Sequence, residues 1–149
     1  MHRRVFSRDP RYSVLLAVTQ WGVLDYDVVH GAADGNGMWT WLATSLMEHM
    51  SRWPGPNSVL IMDGAGIHRN AAFRYLLAGM GVVVVFLPAY SPWLNIAELA
   101  INVIKGDIRK NRAHVGNDVL PVLFESLARR GRLRLRSKLM DIGYGQYCL

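Results

Sequence analysis

Residues Ser58 to Lys105 read SVLIMDGAGIHRNAAFRYLLAGMGVVVVFLPAYSPWLNIAELAINVIK, and two apolar runs in this stretch decide the fold class. Ser58 to Met62 is almost wholly apolar with β-branched content and is cut off by Asp63 and Gly64, the pattern of a short strand enclosed by packed layers. Gly81 to Leu87 repeats it. Between them, Asn70 to Ala78 predicts a helix stopped by Gly79 and Gly81. Asp63 therefore falls at the C-terminal end of a strand, where α/β sheets open a crevice that side chains can line. After the second run, the proline-punctuated loop from Pro88 to Asn95 delivers Glu98 to the first turn of a further helix.

Outward from this stretch, Tyr12 to Thr19 and Val23 to Val29 read as a β-hairpin turning at Trp21 and Gly22. Alternation places Asp25 and Asp27 on one face and Leu24, Tyr26 and Val28 on the other, so the two acids are expected in solvent. Gly31 to Gly37 is a glycine-rich connection, and Met38 to Met50 carries apolar residues at helical spacing. Val119 to Leu127 is a short helical run that admits Pro121 in its first turn. Strand, strand, helix, strand, helix, strand, helix is the order of an α/β three-layer domain.

On a helical wheel with Glu98 at zero, Lys105, Arg109 and Arg112 fall at about −20°, +20° and −40°, while Leu99, Ala100, Val103, Ile104 and Ile108 take the opposite arc. Three cations thus share a face with Glu98. That face suits a DNA backbone, and equally an ordinary solvated surface. Gly106 and Asp107 are poor helix residues and are expected to kink or end it.

With 149 residues, 51% of them hydrophobic, the chain reads as one domain over 1–149, with residues 1–11 a basic loop. The single cysteine, Cys148, excludes an internal disulfide and a cysteine-based zinc site, so any metal is expected on oxygen ligands. Neither a signal peptide nor a membrane span is present in the pattern, which predicts a soluble intracellular protein, nuclear if eukaryotic. The net charge of +6 and six cations between Arg129 and Lys138 point to a polyanionic partner.

D-G-A-G-I-H from Asp63 to His68 and L-P-A-Y-S-P-W-L-N-I-A-E from Leu87 to Glu98 resemble the D-N-A-S-I-H and L-P-P-Y-S-P-D-L-N-P-x-E signatures of mariner-type DDE transposases. Thirty-four residues lie between Asp63 and Glu98, matching the second and third acids of that family. Gly64, Gly66, Trp93 and Ile96 stand where the family has Asn, Ser, Asp and Pro. The resemblance runs from about Tyr12 to Tyr144. It implies an RNase H-like fold over 12–145, and DNA cleavage and strand transfer with Mg²⁺ or Mn²⁺ held by Asp63 and Glu98, as two-metal chemistry requires. His68 would contact substrate, and Lys105, Arg109 and Arg112 would meet the DNA backbone without sequence preference.

The family's first acid has no counterpart here, nor does the central first strand that bears it, so the hairpin is expected to lack a partner joining it to the two core strands. The chain then reads as a transposase remnant, inactive alone. Two other readings remain: an inert protein that pairs a free sheet edge with a full-length transposase or with itself, and a small nuclease in which Asp25, Asp27 or Asp34 replaces the missing acid.

Overall fold

The computed structural model describes residues 10–64, 71–115 and 118–129. Two strands, β1 (Tyr12–Thr19) and β2 (Gly22–His30), form an antiparallel hairpin. Helix α1 (Gly35–Thr44) and a 3₁₀ turn, Leu46–His49, lead to β3 (Val59–Met62); α2 (Ala71–Gly79) connects β3 to its parallel neighbour β4 (Val83–Phe86). A second 3₁₀ turn, Pro92–Leu94, precedes the long α3 (Ile96–Val115), and α4 (Leu120–Arg129) folds back on it.

The described strands make two separate two-stranded sheets, β1–β2 and β3–β4. One core nevertheless joins them. Leu15 of β1 and Met62 of β3 are buried in the same cluster as Trp41 and Leu42 of α1 and Phe73 and Leu77 of α2. Leu42, Phe73 and Leu77 are essentially inaccessible, and each such side chain contributes roughly 1.5–3 kcal/mol by leaving water. A second cluster lies on the opposite face of the hairpin, where Ile104 of α3 and Leu123 and Leu127 of α4 pack with Val14, Leu16 and Val28.

The hairpin is therefore covered on both faces, which corrects the expectation of an apolar face backed by a solvated one. A register shift between Ala17 and Val18 breaks the strict alternation. Leu24 consequently packs in the first cluster while Val28 packs in the second. Asp27 stays exposed, its carboxylate accepting from the Val28 amide at 2.8 Å, but Asp25 is half-buried and its Oδ2 is buried without a hydrogen-bond partner.

Two helix boundaries also differ from the sequence reading. Helix α1 starts inside the glycine-rich connection because Asp34 caps it, accepting from the Gly37 amide at 2.7 Å. It then tightens into the 3₁₀ turn before Met50. Helix α3 runs unbroken through Gly106 and Asp107, because the Asp107 carboxylate accepts from the buried Ser126 hydroxyl at 2.7 Å and ties α3 to α4.

Helix α2 ends as its glycines suggest. Gly81 adopts φ +74°, and the Val82 amide closes back on the Leu77 carbonyl at 2.9 Å. A Cβ at Gly81 would lie 2.6 Å from Cγ of Arg52, so a side chain there meets both strain and a neighbour.

Candidate active site

Asp63 follows directly on β3. The parallel ladder pairs Met62 with Phe86, and the Leu87 amide donates to the Met62 carbonyl at 2.8 Å, so the strand pair is held up to the residue before the acid. Asp63 is half-buried.

Glu98 is positioned by a stiff approach. Leu87 is buried, Tyr90 takes the left-handed φ of +57°, and the 3₁₀ turn closes with Leu94 N–H donating to Ser91 O at 3.1 Å and Asn95 N–H to Pro92 O at 3.0 Å. Asn95 then caps α3, its Oδ1 accepting from the Ala97 amide at 3.1 Å. Because the Asn95 amide already donates to Pro92, Glu98 makes no return arm of a capping box. Its carboxylate is exposed and has no hydrogen-bond or ion-pair partner among the described residues.

Lys105 and Arg109 lie on the same face of α3, about 10 and about 16 Å along the axis from Glu98. Both are exposed and have no carboxylate partner among the described residues, unlike Arg129, which pairs with Glu125. Ala100 and Ile104 are buried on the far side, as the wheel predicts. Arg112 belongs to α3 by its backbone, and its side chain lies outside the described residues, as does His68. Most of the basic run from Arg129 to Lys138 lies outside them too.

Glu98 lines a groove of about 370 Å³ with Pro92, Trp93, Asn95, Ile96 and Asn102, and Asp63 is not one of its walls. Carboxylate oxygens are the right donors for Mg²⁺ or Mn²⁺, and two of them with water and substrate phosphate can hold one such ion. Among the described residues, no three His, Cys, Asp or Glu side chains converge, so this set falls short of a two-ion centre. Asp34 is engaged as a helix cap, and Asp25 alone of the three hairpin-side acids keeps a buried, unpartnered oxygen.

Trp93, Tyr90 and Asn102 were not marked by motif reasoning as anything beyond loop or helix positions. The signal was present at Trp93, a large ring where the resembling signature has Asp.

Over 65 residues, or 44% of its length, the chain is 42% identical to large ribosomal subunit protein bL19c of Spinacia oleracea, a match that spans 26% of that protein. No solved structure matches the chain. No helix among the described residues is long and apolar enough to cross a membrane. The family model of the DDE superfamily endonucleases matches residues 3–120, which takes in both strand-end motifs, the groove and the cation face of α3, and the chain belongs to that family.

Proposed function

We propose that this chain is a mariner-type member of the DDE superfamily with an RNase H-like ancestry, which binds the DNA backbone without sequence preference and does not cleave DNA alone. One observation carries the reading: Lys105 and Arg109 stand exposed and unpaired on the face of α3 that begins at Glu98. Cations held this way neutralise phosphates and release condensed counterions, so affinity falls as salt rises. Asp63 and Glu98 are the residues that would hold Mg²⁺ or Mn²⁺, which would polarise a phosphodiester there. Without a third carboxylate, the site lacks what two-ion hydrolysis needs.

Binding of a labelled duplex, followed by fluorescence anisotropy across a salt series, tests the first half. Lys105→Glu with Arg109→Glu should weaken binding and flatten the logarithmic salt slope by about two. Salt-independent affinity would sink the reading. Nicking of supercoiled plasmid with Mg²⁺ or Mn²⁺ tests the second half. Metal-dependent nicking lost in both Asp63→Asn and Glu98→Gln would mean that the site is complete.

A second reading has its own support. The β1–β2 and β3–β4 pairs each leave strand edges without a hydrogen-bonded neighbour among the described strands, and Val59, Ile61, Val83 and Val85 are exposed. Such edges suit pairing with another transposase chain or a second copy. Co-purification with a full-length transposase that survives deletion of the Tyr12 to Val29 hairpin would count against it.

A further inference from the structure

The loop between β4 and α3 carries two aromatic rings that neither hydrophobic cluster uses. Tyr90 is 94% exposed and Trp93 66% exposed, and neither ring stacks on another aromatic side chain among the described residues. An isolated exposed ring needs no explanation. The setting of Trp93 is different, because it forms a wall of the groove at Glu98.

That groove selects its occupant by charge and shape. Pro92, Trp93 and Ile96 make it apolar, Asn102 supplies an amide that both donates and accepts, and Glu98 supplies negative charge. A phosphate would enter this groove only with a metal ion between it and the Glu98 carboxylate. A flat, neutral ring with polar edges fits instead, with its face on Trp93 and an edge toward Asn102. The phosphates on either side of such a ring would fall outside the groove, where Lys105 and Arg109 stand exposed on the same helix face.

The platform is also fixed in advance. The 3₁₀ turn and the Asn95 cap hold the backbone around Trp93, so little conformational freedom remains to be lost on binding. Tyr90, at φ +57°, sits in a region that non-glycine residues seldom adopt, and strain of this kind gathers at ligand-binding loops.

We propose that Trp93 is a stacking platform for an unpaired base of single-stranded DNA, whose phosphates continue over Lys105 and Arg109. The proposal rests on the DNA-binding reading for its phosphate contacts and adds a preference: bases in a duplex are already stacked and cannot offer a free face.

The test is anisotropy with a labelled single-stranded oligonucleotide and a duplex of equal length, using the full chain, Trp93→Ala and Trp93→Phe. Trp93→Ala should weaken single-strand binding about tenfold, Trp93→Phe should recover most of the loss, and duplex affinity should hold. Single-strand affinity indifferent to Trp93→Ala would overturn the platform, and this is also the result if the groove serves a protein segment. Equal loss on both DNA forms would overturn it as well, since the ring would then support the fold or the backbone contacts. Retained DNA binding with no Trp93 effect on the single strand removes only the platform, whereas a wild-type chain that binds neither form removes the DNA reading itself.

Discussion

The two sheets are built alike in size and finished differently. The β1–β2 hairpin is packed by α1 on one face and by α3 and α4 on the other. Among the described residues, the β3–β4 pair is packed on the first face alone, and Val59, Ile61, Val83 and Val85 on its second face are 37–43% exposed. Parallel strands are usually covered on both sides. The half of the molecule that bears Asp63 is thus the less enclosed half, while the acid on α3 belongs to the well-packed one.

The comparison breaks most easily at the shared core. Phe73→Ala, on the α2 side of the parallel pair, should cost about 3–5 kcal/mol in urea unfolding. Because Phe73 and Leu15 lie in one cluster, hydrogen-exchange protection of the β1 and β2 amides should fall along with that of β3. Hairpin protection that survives would make the sheets independent units. A smaller loss, about 1 kcal/mol, is expected of Ser126→Ala, which removes the bond to Asp107 inside the cover of the hairpin. Its effect on exchange should concentrate in α3, α4 and the hairpin, and an equal effect on β3 would erase the contrast. Ile61→Thr probes the open face directly. It should shift stability by no more than about 0.5 kcal/mol, and a larger loss would show that this face is covered in solution.

The elements behind this contrast were legible in the residues, but the contrast itself was inverted there: the pattern predicts β3 and β4 enclosed by packed layers and the hairpin solvated on one face, whereas Val59, Ile61, Val83 and Val85 are exposed and the hairpin is covered on both faces. The apolar runs at 58–62 and 81–87 announced short strands, which the structure pairs in parallel, and the double motif singled out Asp63 and Glu98 as candidates. The amphipathic arc of α3 came from spacing, because helical periodicity survives even where Gly106 and Asp107 weaken local propensity. What escaped were long-range facts. The tie between Asp107 and Ser126 joins residues far apart in the chain, so local propensity reported a break that tertiary contact repairs. Alternation also misassigned the hairpin, because a single register shift after Ala17 moves Leu24 to the other cluster, and the pattern carries no trace of a second covering layer. Asp34 caps α1, but Gly31 to Gly37 reads as a connection, so the helix start was missed. The groove at Trp93 could not be read at all, since a groove wall is defined by what stands opposite.

The length and anchoring of α3 carry a mechanical consequence. The helix is gripped by the hairpin and α4 through Ile104, Leu123 and their neighbours, while Glu98 stands in its first turn. The acid lies about 12 Å beyond the middle of that grip, so a tilt of about 5° swings it by about 1 Å. Displacements of that size can change the rate of an oriented reaction about a hundredfold. Glu98 is held between the stiff loop that enters α3 and the clamp of the hairpin, so its position depends on packing at residues distant from it.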